Sequence, residues 1–108
     1  MSAPHMEVPY VAFSQQVDAI KTELMQACES VLDSGMYVMG AWTTRLEEEF
    51  AHYCGTKYSL SVSNGTTALY LVMYGMGIGP RDEVITAPNS FIASAGSIGM
   101  LGARPVFV

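Results

Sequence analysis

The chain has 108 residues, 50% hydrophobic and only 14% charged, with a net charge of −5 from five basic and ten acidic side chains. That length allows one modest core and excludes a two-domain enzyme folded within it. Half apolar with so few charges, against about 25% in ordinary soluble domains, excludes intrinsic disorder and points to elements covered on both sides or to a surface meant for a partner.

After a short lead, Asp18 to Asp33 carries Ile20, Leu24, Ala27, Cys28, Val31 and Leu32 on a 3.6-residue stripe, which predicts an amphipathic helix ended by Ser34-Gly35. Met36 to Gly40 is too short for a helix and reads as a loop between glycines. Thr44 and Glu47 have the spacing of a capping box, placing Glu47, Glu48 and Glu49 in the first turn of a second helix closed by Gly55. Tyr58 to Val62 alternates like a strand, Ser63-Asn64-Gly65 is a turn, and Thr66 to Met76 is helical again. Glu83 to Ala87 predicts a second strand, Phe91 to Leu101 a further helix, and Arg104 to Val108 a third strand. The order β-α-β-α-β, with crossovers of roughly twenty residues, predicts a right-handed parallel sheet.

No basic cluster offers the footprint of a nucleic-acid binder, and no run approaches the ~18 apolar residues of a membrane span. The first seven residues lack the cationic and apolar regions of a secretory signal, so a cytoplasmic protein is expected. Cys28 and Cys54 have no metal spacing and read as reduced and buried. His5 and His52 have no partner placed by spacing and read as surface residues, and no hydrolytic or phosphate-loop motif is present. Gly75 to Gly79 imitates part of a dinucleotide fingerprint but ends a helix, whereas that fingerprint must open one.

Two features can carry chemistry. Asn64-Gly65 joins a strand to a helix, so the free N–H groups of the first helical turn would favour a phosphate. Gly65 would let the backbone approach, with the hydroxyls of Ser63, Thr66 and Thr67 adding bonds. A capped helix end with nothing bound fits the same pattern. Phe91, after Pro88-Asn89-Ser90, would lie on the same side of the sheet and could cover that ligand, or could simply open the core of the next helix.

Seven motifs follow one another along the chain: Val8-Pro9-Tyr10, Ser34-Gly35-Met36-Tyr37 to Gly40, Leu46-Glu47 with Phe50-Ala51, Ser63 to Leu69, Gly79-Pro80 with Asp82 to Ile85, Pro88 to Ala93, and Gly102-Ala103 with Pro105 to Val108. Their order resembles the DegT/DnrJ/EryC1/StrS aminotransferases. The resemblance covers nearly the whole chain. It implies the aspartate-aminotransferase-like fold, pyridoxal-phosphate fold type I: an α/β large domain with a mainly parallel sheet and helices on both faces. Residues 1–57 would be an N-terminal helical segment with an active-site loop, and 58–108 the start of the cofactor-binding domain, incomplete and stopping on a strand.

The same resemblance implies pyridoxal 5′-phosphate as cofactor, its phosphate on Gly65, Thr66 and Thr67, its ring under Phe91, and Tyr37 near the substrate entrance. A nucleotide-linked keto-sugar would be the substrate, glutamate or a similar amine the donor, and a homodimer the full assembly. Ala41 stands where the family usually has Pro, which should loosen the preceding loop slightly. Neither Lys21 nor Lys57 matches the family's lysine, so no catalytic residue is assigned within the chain and the Schiff-base lysine is expected downstream of Val108. The chain alone should then bind the cofactor weakly or not at all and fail to transaminate. Two other readings remain at this point: a sugar dehydratase using the same cofactor, with histidine in place of the lysine, and a non-catalytic phosphate-binding or regulatory module.

Overall fold

The computed structural model describes residues 9–108, apart from the side chain of Gln15. His5 and Val8 lie outside the described residues. The chain divides into two compact units, the first ending at Lys57 and the second spanning Tyr58–Val108.

The first unit holds α1 (Phe13–Ser34) and α2 (Ala41–Cys54). α1 begins earlier than Asp18 because Phe13 and Val17 continue the apolar stripe of Ile20, Leu24 and Val31. It ends as expected at Gly35, whose φ of 64° is left-handed and whose N–H bonds the Leu32 carbonyl. α2 starts before the expected capping box. Its N-cap is Gly40, whose carbonyl accepts from the N–H groups of Thr43 (3.0 Å) and Thr44 (3.2 Å). A Cβ at position 40 would stand 2.9 Å from the Met36 carbonyl oxygen, so only glycine turns the chain this tightly into the helix. Thr44 is therefore a helical residue, and the three glutamates lie beyond the first turn, which contains no acidic side chain. Instead Glu49 pairs with Arg45 one turn earlier at 2.6 Å, on the exposed face. The cysteines correct a further expectation: Cys28 and Cys54 are free but exposed, because each sits on a helix flank that nothing in the described chain covers.

The second unit runs through α3 (Gly65–Gly75), β1 (Glu83–Thr86), α4 (Ala93–Met100) and β2 (Arg104–Phe107). β1 and β2 are parallel, in register from Glu83 opposite Arg104 to Thr86 opposite Phe107. Arg104 and Glu83 also form an ion pair across this register. The expected strand at Tyr58–Val62 is absent among the described residues. Strand structure requires a backbone ladder, and the only sheet described is the β1–β2 pair, which does not include this segment.

The end of α3 disposes of the glycine-rich decoy. Ile78 N–H bonds the Met73 carbonyl and Gly77 N–H that of Tyr74, the Schellman arrangement of a helix end. A tight turn follows, in which Asp82 N–H bonds the Gly79 carbonyl at 3.1 Å and Arg81 has a positive φ of 87°.

α4 packs against α3 on one side and against both strands on the other. The core of the unit lies there, in Ala93, Ser97, Ile98 and Ala103, with Ile98 only 2% exposed. Gly102 turns the chain from α4 into β2 with φ of 75°, and a Cβ there would meet Pro80 Cγ at 3.2 Å.

Two backbone substitutions test this description with opposite signs. Ala41 is the first residue of α2, where proline's fixed φ fits and its missing N–H is not needed, and Gly40 before it is extended. Ala41→Pro should raise the unfolding free energy by roughly 0.5–1 kcal/mol in urea titration. Gly102→Ala should lower it by about 1–2 kcal/mol, the cost of a Cβ in the left-handed region.

Candidate functional site

α3 opens at a loop whose side chains bond one another. Asn64 is extended, with φ −169° and ψ 171°, and its Oδ1 accepts the Thr67 N–H at 2.9 Å. Its carbonyl takes the first helical bond, from Ala68 N–H at 3.0 Å. Asn64 Nδ2 lies 3.3 Å from Ser63 Oγ, which is also 3.1 Å from Thr67 Oγ1. The residue before the helix thus satisfies one of the orphan donors of the first turn. The N–H groups of Gly65 and Thr66 have no carbonyl one turn earlier within the helix, and they carry the positive end of its dipole.

These two residues line an open cleft of about 590 Å³ together with Asn64, Leu69, Phe91 and Ser94. The structure therefore brings Gly65, Thr66 and Phe91 to one cavity. A Cβ at Gly65 would meet no protein atom within 4 Å, which leaves the backbone there open to close approach. Phe91 precedes α4 and is 76% exposed, so its ring is available to a ligand rather than spent as the first core residue of that helix. Thr67 is not part of the lining: its N–H is held by Asn64 and its hydroxyl faces Ser63. Tyr37 belongs to the first unit, where its hydroxyl donates to the Leu32 carbonyl at 3.3 Å. Neither lysine lines the cleft.

Sequence reasoning missed three participants. Asn64 was readable as a cap from its place before Gly-Thr-Thr. Ser94, which lines the cleft and whose Oγ lies 3.0 Å from Ser90 Oγ, had no signal beyond its spacing of four. Ser97, fully buried, bonds carbonyls of α4 and α3, and nothing in its neighbours marks it. No cluster of metal-ligating side chains occurs among the described residues, and no described helix is long and apolar enough to cross a membrane.

The donor set of the cleft, two backbone N–H groups beside hydroxyls and an exposed aromatic face, suits a phosphorylated aromatic ligand and lacks the ligands of a metal centre. DesV of S. venezuelae, solved in complex with a ketimine intermediate, superposes with a TM-score of 0.89 at 40% identity, over 94% of this chain and 27% of that one. The fold is that of the pyridoxal-phosphate aminotransferases, represented here by an amino-terminal part. A pleiotropic regulatory protein of Geobacillus stearothermophilus is 38% identical over 95% of this chain and 28% of its own length. The UDP-2-acetamido-2-deoxy-3-oxo-D-glucuronate aminotransferase of Pseudomonas aeruginosa is 38% identical over 94% of this chain and likewise 28% of its own. The profile of the DegT/DnrJ/EryC1/StrS aminotransferase family matches residues 18–108, and the chain belongs to that family. It spans a little over a quarter of the length of these relatives.

The cap makes a prediction of its own. Asn64→Ala should cost about 1 kcal/mol and speed hydrogen exchange at the Thr67 amide, while Asn64→Asp should preserve both. Unchanged protection of Thr67 in Asn64→Ala would remove the cap from the description.

Proposed function

We propose that this chain supplies the cofactor-phosphate cradle of a pyridoxal-phosphate-dependent aminotransferase that aminates a nucleotide-linked keto-sugar. The observation that carries the reading is the shared cleft of Gly65, Thr66 and Phe91. Family membership and the aminotransferase among its relatives support the reaction class.

Pyridoxal phosphate, when bound, supplies an electron sink for the amino-group exchange. The chain's own part is binding and orientation. The N–H groups of Gly65 and Thr66, with the Thr66 hydroxyl, donate to the phosphate, whose negative charge the N-terminus of α3 favours. Thr67 acts from behind: its hydroxyl and N–H tie Ser63 and Asn64 into the loop that presents those donors. The Phe91 ring covers one face of the pyridine and keeps water from it. Tyr37, in the loop before α2, contributes to sugar recognition. Proton transfer belongs to a lysine outside residues 1–108, so neither Lys21 nor Lys57 has that role. The amino donor is glutamate or a similar amine, the working enzyme is a homodimer, and its place is the cytoplasm.

The 108-residue chain should accordingly bind pyridoxamine 5′-phosphate weakly and catalyse no amino transfer. Thr66→Phe should abolish that binding by filling the cradle. Phe91→Ala should weaken pyridoxamine and its phosphate ester alike, by roughly 2–10-fold, the value of one aromatic stacking contact. Binding unaffected by Thr66→Phe would remove the cradle, and amino transfer by the chain alone would remove the external lysine.

A further inference from the structure

Ser97 has no exposed surface. Its Oγ donates to the Ala93 carbonyl one turn back in α4 at 2.8 Å and approaches the Thr66 carbonyl in α3 at 3.3 Å. A hydroxyl has a single proton, so the two carbonyls share it, with the nearer taking the larger part. Both acceptors belong to residues that line the cleft, Thr66 on one wall and Ala93 on the other. One buried hydroxyl therefore joins the two walls from behind.

The contact with Thr66 has a second consequence. The peptide group between Thr66 and Thr67 is held at both ends: its N–H by Asn64 Oδ1 at 2.9 Å, its carbonyl by Ser97. Fixing that plane fixes the first turn of α3, and with it the direction of the Gly65 and Thr66 N–H groups just before it. Preorganised donors bind an anion without first having to be ordered.

We infer that Ser97 is a positioning residue for the phosphate cradle, setting the aim of the Gly65 and Thr66 N–H groups through the Thr66 carbonyl without touching the ligand. This rests on the cofactor reading above. An alanine at 97 nearly keeps the volume and keeps the helix, but it leaves the Thr66 carbonyl with no tie to α4 beyond its place in the α3 ladder, so the loss should fall on the phosphate and spare the ring.

The test compares the dissociation constants of pyridoxamine 5′-phosphate and pyridoxamine, two probes that differ only in the phosphate and form no bond to lysines. Both are titrated by NMR into the chain and into Ser97→Ala, with far-UV circular dichroism as the check on folding. Ser97→Ala should reduce the preference for the phosphate ester about fivefold, the worth of one ordinary hydrogen bond, while the affinity for pyridoxamine stays the same. Ser97→Cys, which keeps the shape with a poorer donor, should fall between them, and it carries the test if Ser97→Ala does not fold. Equal loss for both probes, or an unchanged preference in the variants, overturns the positioning role. A parent chain with no preference for the phosphate ester overturns the cofactor reading itself.

Discussion

The Thr66–Thr67 peptide sits between two side chains, with Asn64 Oδ1 on its N–H and Ser97 Oγ at its carbonyl. The contact at the carbonyl ties α3 to α4. Ser97 lies in the part of α4 that packs against α3, and α4 in turn rests on the parallel pair of β1 and β2. Hydrogen-bonded and fully buried, the Ser97 hydroxyl escapes the cost of an unsatisfied polar group, and the two helices remain close because the side chain between them is small. A larger residue at this point would push the walls of the cleft apart.

Few side chains are buried among the described residues: Ala51, Ala93, Ile98 and Ala103, with Ser97, and of these only Ile98 and Ser97 are fully so. Large apolar residues such as Leu60, Ile85 and Phe107 are instead exposed. This is the structural counterpart of the low charge, since half of the chain is apolar and so little of it is covered. A unit with so small a core has little stability in reserve, and changes of about 1 kcal/mol weigh heavily in it. Polar contacts with defined geometry therefore matter more than usual.

Local periodicity made the four helices among the described residues readable, along with the parallel order of β1 and β2. Asn64-Gly65 was readable as the entry to a helix, because Leu69, Val72, Met73 and Met76 follow at helical spacing, although no strand precedes it among the described residues. The features that went astray depend on partners distant in sequence or on close contacts. Tyr58–Val62 alternates correctly, but alternation does not supply a ladder partner. Thr44 had the right spacing for a cap, yet the approach of Gly40 to Met36 starts the helix four residues sooner. Cys28 and Cys54 lie on or beside apolar stripes, which says what could be buried rather than what is. Of the residues lining the cleft, Gly65, Thr66 and Phe91 were singled out by motif order. Ser97 was not, because its role arises from a contact thirty-one residues away.

Phosphate binding at the start of α3 depends on which backbone donors meet the anion. Amide shifts recorded while pyridoxamine 5′-phosphate is added to the isotopically labelled chain read those donors individually. The largest movements should occur at Gly65 and Thr66, with a much smaller one at Thr67, whose N–H is already held by Asn64. Shifts concentrated on Thr67, or spread around Lys21 and Lys57 with Gly65 and Thr66 unmoved, would contradict it.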